Sequence, residues 1–199
     1  MIPRQFLITV TLLFAVTIAM SAYVWQLQRR ETRSPRLTEK PEHVAPPTSG
    51  PMEQITVYVA YDNPGELRAQ SISIPSATGR QQRAEGLLRG LIMNFYTAKD
   101  SPHPLAAGAE IRQVFLVDPG LAVIDVNSAF VEGQVSGVLA EELTIASLVQ
   151  TLAINMPELT RVKILVDGKE QETLAGHADL TGFYDVQQIA EVVKELSPQ

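Results

Sequence analysis

Three histidines are the first residues in this chain that could carry chemistry, because an imidazole can act as an acid, a base or a metal ligand near neutral pH. His43 lies in a proline-rich stretch, His103 lies between two prolines, and His177 lies in the segment AGHADL. A zinc site needs three or four converging ligands, whereas His177 and Asp179 supply at most two. We therefore predict no metal site, and we interpret His177 as a turn or capping residue that is also an interface candidate.

The adjacent carboxylates Glu141 and Glu142 are the next candidates. On a helix, adjacent side chains point roughly 100° apart, so the two cannot form a facing acid and base without a third group. Their simpler interpretation is a favourable charge near a helix N-terminus. The sequence contains no GxSxG, GxxxxGK[ST], HExxH or GxGxxG motif and no cysteine. We predict no catalytic residue, no cofactor and no enzymatic activity.

Two aromatic residues are better candidates for binding. Phe130 follows a predicted strand and Tyr184 precedes a predicted terminal helix, and exposed aromatic side chains often anchor interfaces. A role in the core is the alternative for both, and it is the more common fate of such residues. Together with His177, Phe130 and Tyr184 form the predicted interface set.

Charge and composition limit the classes of partner. The chain has 199 residues, of which 45% are hydrophobic, enough for one domain with appendages. From Gln54 onward it has ten basic and eighteen acidic residues, a net charge of -8, which argues against nucleic acid as a partner. The absence of cysteine also excludes disulfides and a lipid-modified N-terminal cysteine.

The N-terminal region predicts a membrane anchor over residues 1–27. Residues 6–27 carry no charge, and as a helix they would span roughly 33 Å, the thickness of a bilayer core. Tyr23 and Trp25 lie near the end of this segment and arginines follow it, as is typical of a membrane boundary. A cleaved signal peptide is the alternative, because Ala19 and Ser21 form a passable cleavage site.

Residues 28–53 predict an extended linker, since they contain five prolines and no apolar periodicity. If fully extended, this stretch could hold a domain as much as ~80 Å from the bilayer.

Alternation and helical periodicity predict a compact domain over residues 54–180, with a helical extension over residues 181–199. The predicted elements are a hairpin (54–61 with 67–74), a helix (80–96) capped by Thr78, two strands (110–117 and 121–126), a helix (139–155), a second hairpin (162–166 with 170–174) and a short terminal helix. The first helix carries an apolar stripe of Ala84, Leu88, Leu91 and Phe95. We predict an α/β (α+β) fold in which two main helices pack on a small mixed or antiparallel sheet.

Three stretches in this order resemble the GerMN (sporulation and spore germination) family: FLVDPGLAVIDVNSAF, EELTIASLVQTLA and RVKILVDGKEQETLAGHADL. The resemblance implies a fold related to ring-building motifs and an extracytoplasmic, anchored protein of the bacterial envelope. Some members support assembly of a trans-envelope channel during sporulation. Asn155 and Met156 depart from the usual aromatic ending of the second helix, and the terminal helix is additional.

These observations predict a non-enzymatic binding or assembly module whose partners are envelope proteins or further copies of itself. Peptidoglycan or glycan binding is the alternative, although the sole tryptophan lies in the predicted anchor, and a hydrolase is the least favoured. The arginines after the anchor favour a cytoplasmic domain by the positive-inside rule. The resemblance favours an extracytoplasmic, single-pass topology, which we adopt.

Overall fold

The computed structural model describes residues 51–198, so the predicted anchor and most of the predicted linker lie outside the described residues. The described part is a mixed α/β domain with two sheets and four α-helices. Its elements are β1 (Met52–Tyr61), β2 (Glu66–Pro75), α1 (Arg80–Leu91), a π-helical turn (Ile92–Tyr96), β3 (Ile111–Val117), β4 (Leu121–Val126), α2 (Ser128–Glu132), α3 (Val138–Asn155), β5 (Arg161–Val166), β6 (Tyr184–Asp185) and α4 (Val186–Leu196).

The first hairpin, β1 with β2, is confirmed and is longer than predicted. Its ten antiparallel pairs run from Met52 opposite Pro75 to Tyr61 opposite Glu66. The strand therefore begins at Met52, inside the predicted linker. Glu53 explains part of this extension, because its carboxylate pairs with Arg83 of α1.

The first predicted helix is confirmed only as far as Leu91. Its N-cap is Gly79 and no side chain caps it, so the predicted cap at Thr78 is wrong. At its end the Thr97 N–H donates to the carbonyl of Ile92 at 3.0 Å, a π-helical bond that inserts one extra residue into the turn. The apolar stripe therefore shifts by one position, and Tyr96 instead of Phe95 is fully buried.

Glycine permits close contact between α1 and the hairpin. A Cβ atom added to Gly90 would lie 2.9 Å from Cγ2 of Ile74 and 3.2 Å from Cδ1 of Ile72. Gly90 lowers helix propensity, but it lets β2 pack directly on the helix.

The second sheet has the strand order β3-β4-β5-β6. β3 and β4 are antiparallel, β4 and β5 are parallel, and β5 and β6 are antiparallel. α2 and α3 supply the crossover that a parallel pair requires. The inner face of this sheet is buried and includes Ala122, Ile124, Val162 and Ile164.

The second predicted hairpin is wrong in its second strand. Asp167 and Gly168 do turn the chain after β5, with φ angles of 50° and 72°, but the returning chain makes only an isolated bridge between Val166 and Lys169. The two neighbours of β5 in the sheet are β4 and β6. Residues 170–174 instead lead into a loop that folds over the start of α3.

α3 is the central helix of the domain. It is the single helix of the described region with the length and apolarity to cross a membrane, but 56% of its apolar window is buried inside the domain. Because β1, α1 and α4 all contact it, α3 has little exposed surface.

A polar stripe on α3 completes the free edge of β1. Asn155 Nδ2 donates to the carbonyl of Thr56 (2.6 Å), Thr151 Oγ1 accepts the N–H of Tyr58 (2.9 Å), and Ser147 Oγ donates to the carbonyl of Tyr58 (2.5 Å). These side chains take the place of a neighbouring strand, so β1 has no open edge here.

Candidate functional site

A carboxylate, an imidazole and a hydroxyl converge inside the domain. His103 Nδ1 lies 2.6 Å from Asp62 Oδ1, and His103 Nε2 lies 2.6 Å from Thr144 Oγ1. Asp62 follows β1, His103 comes from the loop after the π-helical turn, and Thr144 comes from α3. This order of groups is the one that nucleophilic hydrolases use.

The surroundings of this network do not suit catalysis. His103 is 1% exposed and Thr144 is fully buried. The Thr144 hydroxyl is 2.7 Å from Gln134 Oε1 and 3.0 Å from the carbonyl of Ala140, so its proton already has acceptors. A nucleophile must be able to reach its substrate. The network therefore ties the tip of the first hairpin and the loop around His103 to α3.

A second buried polar group lies beside it. The Tyr96 hydroxyl accepts the N–H of Ala60 at 2.9 Å and lies 2.5 Å from Ser147 Oγ. Burial raises the pKa of Tyr96 above its usual range. Tyr96 is thus a neutral phenol that completes the capped edge of β1.

Glu141, on the first turn of α3, organises the loop that contains AGHADL. Its Oε2 accepts the N–H groups of Ala175 (3.0 Å), His177 (3.0 Å) and Ala178 (2.8 Å), and its Oε1 lies 2.9 Å from His177 Nδ1. Burial alone would raise the pKa of Glu141, but the hydrogen bonds from Ala178, His177 and Ala175 lower it to about 2. Glu141 is therefore an anion at neutral pH, and it fixes a loop.

The three residues of the predicted interface set have different surroundings. Phe130 is fully buried in the core, because α2, capped by Asn127, turns it inward. The prediction of an exposed anchor at Phe130 is wrong, and the core alternative is correct. His177 is 45% exposed while its Nδ1 faces Glu141.

Tyr184 is half-buried, and its hydroxyl donates to the carbonyl of Asp179 at 2.6 Å. Burial, together with the nearby charges of Asp179 and Glu141, raises the pKa of Tyr184 to about 12. Its hydroxyl is therefore used inside the protein, and the exposed aromatic ring at this end of the chain is that of Phe183.

The second sheet turns one face away from the core, and we call this surface the outer sheet face. Its apolar members lie on alternate positions of β3, β4 and β5 and just before β6. Val123 of β4, for example, is paired with Phe115 of β3 on one side and with Lys163 of β5 on the other. They are Phe115, Val117, Leu121, Val123, Leu165 and Phe183. Phe115 (41%), Val117 (47%) and Phe183 (55%) are the most exposed.

Two cations lie among these apolar residues. The guanidinium carbon of Arg161 is 5.1 Å, and Lys163 Nζ is 5.8 Å, from the centre of the Phe183 ring. Lys163 Nζ also donates to the carbonyls of Leu180 (2.9 Å) and Thr181 (2.7 Å). The Lys163 ammonium group is therefore already hydrogen-bonded within the protein. Arg161 is exposed and is the cation that a partner can reach.

Polar contacts close the other end of the outer sheet face. The ladder shifts register between Ile111 and Gln113, and such a bulge re-aims a side chain. Arg112, at the shift, bonds Asp167 at 2.8 Å and lies 3.6 Å from Asp125. The accessible part is therefore the end with Phe115, Val117, Arg161 and Phe183.

The outer sheet face has the composition of an interface. Exposed aromatic and aliphatic side chains around an arginine are typical of the centres of protein contacts. Across residues 51–198, no three His, Asp or Glu side chains come together as a metal site would require. The absence of a metal, a cofactor and catalysis stays a prediction.

The sequence singles out His177 and Tyr184 as interface candidates, and their role stays a prediction. It does not single out the outer sheet face or Phe183, the neighbour of Tyr184. A signal was present in β3, where Val114 and Leu116 alternate with Phe115 and Val117. A strand that is apolar on both faces is either covered on both sides or exposes an apolar surface.

Comparisons with known proteins give one family match and several distant structural neighbours. The family model described as "Germane: Sporulation and spore germination" matches residues 56–172. No curated protein matches the sequence. The first GerMN domain of the sporulation protein GerM from Bacillus subtilis is 18% identical, with a TM-score of 0.47, over 65% of this chain and 94% of that one. The tandem GerMN domains of the same protein give 18% identity and a TM-score of 0.49, over 65% of this chain and 44% of theirs.

Proposed function

The chain belongs to the Germane family of sporulation and spore germination domains, and from that membership we propose that it is a non-enzymatic binding and assembly module of the bacterial cell envelope. Its partners are envelope proteins. The N-terminal segment tethers it to the cytoplasmic membrane as a single-pass protein, with the globular domain outside the cytoplasm. Secretion after signal cleavage is the alternative topology.

The observation that carries this proposal is the outer sheet face. Phe115 and Val117 project from β3, Phe183 lies just before β6, and Arg161 lies against the Phe183 ring. Burying such side chains against a partner supplies free energy in proportion to the apolar area removed from water. A rigid sheet also presents them at little entropic cost.

Two further observations bear on the alternatives. The sealed network of Asp62, His103 and Thr144 speaks against the hydrolase alternative, because a substrate cannot reach its hydroxyl. The exposed rings of Phe115 and Phe183 favour envelope-polymer binding as the second candidate, since aromatic rings can stack on sugars. Protein binding fits better, because the surface is an apolar sheet face and not a cleft.

A paired variant in the full chain tests the proposal. Phe115→Ser with Phe183→Ser removes both exposed rings of the outer sheet face, and Met93→Ser is the matched control because Met93 is exposed elsewhere. We expect the paired variant to lose the envelope proteins that co-purify with the wild type, while its melting temperature and its sedimentation with insoluble envelope polymer stay unchanged.

Two outcomes would overturn the proposal. If the paired variant keeps its protein partners, the outer sheet face is not the binding surface. If the wild type sediments with the polymer and the paired variant does not, the second candidate is correct.

A further inference from the structure

The first hairpin has one strand edge that the rest of the domain does not cap. On β1, the groups that face α3 and Tyr96 belong to the even-numbered residues Thr56, Tyr58 and Ala60. Alternate residues of an antiparallel strand point their N–H and C=O groups to opposite sides. The odd-numbered residues of β1 therefore bond to even-numbered residues of β2, which leaves the odd-numbered residues of β2 facing outward.

Three of these outward residues are exposed and carry a backbone N–H: Ala69, Ser71 and Ser73. We call them the β2 edge. β1 is the sole ladder partner of β2 within residues 51–198. The β2 edge is bounded on one side by Leu67, which is fully buried, and on the other by Pro75, which has no N–H.

The other long edges of the described domain are capped over part of their length. α3 caps β1, as described above. On β3, Glu85 accepts the N–H of Val114 (3.3 Å), and Arg89 donates to the carbonyls of Ile111 (3.3 Å) and Arg112 (3.1 Å). The edge strand β6 has two residues.

Proteins usually protect an open edge with proline, lysine, a bulge or a covering element. β2 has no proline before Pro75 and no lysine, and its ten pairs with β1 run without a register shift. An open and regular edge of this kind is a template for another strand.

We propose that the β2 edge pairs with the β2 edge of a second copy of this chain, antiparallel and about a two-fold axis at Ser71. In this register Ser71 lies opposite Ser71 of the other copy, and Ala69 of each copy lies opposite Ser73 of the other. The three pairs each exchange two hydrogen bonds. The next pair on either side would join Leu67 to Pro75. Leu67 is buried and Pro75 has no N–H, so the hydrogen bonding between the two copies ends at the same point on both sides.

Symmetry and charge favour a second copy over another occupant. The accessible edge is itself symmetric about Ser71, as a two-fold interface requires. No like charges oppose each other in this register, because Glu66 faces Ser76 and Arg68 faces Ile74. The chain's own residues 28–50 are poor occupants, because Pro35, Pro41, Pro46 and Pro47 interrupt any ladder. This inference rests on the proposed function and names one partner, on a surface separate from the outer sheet face.

Cross-linking of the full chain in native membranes tests the register directly. The chain has no cysteine, so Ser71→Cys introduces a single thiol. Paired residues of this kind lie about 5.5 Å apart between Cα atoms, and a short bis-maleimide spans that distance. We expect Ser71→Cys to shift from 21.8 kDa to twice that mass. Ser136→Cys, which is exposed elsewhere, should stay at the single-chain mass.

Mixed variants strengthen the test. Ala69→Cys and Ser73→Cys should cross-link to each other when co-expressed. Ser71→Lys and Ser71→Glu should each weaken assembly, because like charges then meet at the axis, and co-expression of the two should restore it.

A yield of dimer from Ser71→Cys no higher than that from Ser136→Cys would overturn the inference. Cross-linking of Ser71→Cys to a different protein would overturn it as well, since another chain then fills the edge. Failure here, with loss of partners still seen for Phe115→Ser with Phe183→Ser, would leave the proposed function standing.

Discussion

Glu141 holds the AGHADL loop through one buried carboxylate, and that arrangement depends on pH. Burial opposes its charge, but the N–H groups of Ala178, His177 and Ala175 bring its pKa to about 2. In an unfolded chain a glutamate titrates near ~4.3. Because the folded pKa is the lower one, the stabilisation is fully present above about pH 4.3 and is lost as the pH falls through about 2.

We therefore predict that Glu141→Gln destabilises the domain by on the order of 1–3 kcal/mol at neutral pH, with the difference from the wild type closing as the pH falls from about 4.3 to 2. Urea unfolding of residues 51–199 across this range measures it. Glu142→Gln, which removes the adjacent carboxylate, is the control and should give a small difference. A Glu141→Gln difference that does not change with pH would contradict the assignment.

Substitutions at Gly168 test the turn that follows β5. Its φ is 72°, and a Cβ atom there would meet nothing within 4 Å, so a substitution costs backbone strain alone. We predict that Gly168→Val lowers stability by about 1–2 kcal/mol and that Gly168→Asn lowers it less, because asparagine tolerates a left-handed backbone. Melting temperatures of the two variants measure this. Equal values for both would rule out the strain argument.

At the scale of elements, the polar stripe of α3 is the feature that holds the first hairpin in place. Thr151 accepts the N–H of Tyr58 at 2.9 Å, and Thr151 is fully buried. Removing one partner of a buried hydrogen bond leaves the other without solvation.

We predict that Thr151→Val, which keeps the shape and removes the acceptor, destabilises the domain by roughly 1–3 kcal/mol. The matched control is Thr78→Val, because Thr78 is exposed and caps nothing; it should stay within about 0.5 kcal/mol of the wild type. Chemical denaturation of both variants gives the comparison. A loss for Thr78→Val as large as that for Thr151→Val would contradict the role of the stripe.

Local patterns predicted most of these elements, and partners distant in sequence account for what they missed. Alternation identified β1 to β4, and an apolar period of 3.6 identified α1, α3 and α4. The same period placed Phe95 in the core instead of Tyr96, because an inserted π-helical residue has no local signature. Residues 170–174 were predicted to pair with β5, but β4 and β6 are its neighbours in the sheet.

The candidate site was less predictable for the same reason. Glu141 and Ala178 are 37 positions apart. No helical or strand periodicity relates residues at that separation. His177 is a candidate because it is one of three histidines and lies in AGHADL, which the family resemblance covers, and not because of any spacing. That Phe115 and Phe183 lie on the same face of one sheet follows only from the strand order β3-β4-β5-β6.

At the scale of the whole molecule, the proposed topology depends on residues outside the described part. The positive-inside count favours a cytoplasmic domain, whereas an envelope role requires an extracytoplasmic one. We predict that Ser49→Cys reacts with a membrane-impermeant maleimide in intact cells whose outer membrane, where present, has been permeabilised. The absence of native cysteine makes the signal specific. Labelling only after lysis of the inner membrane would contradict the extracytoplasmic assignment.

Binding through the outer sheet face is the central claim of this account, and site-specific photo-cross-linking of the full chain in living cells tests it most directly. A benzoylphenylalanine placed at Val117 lies on that face, whereas one placed at Met93 is exposed on the π-helical turn. We predict a light-dependent adduct of defined mass with an envelope protein from position 117, none from position 93, and loss of the adduct when Arg161→Glu is added. Adducts of equal yield from both positions, or none from position 117, would contradict the claim.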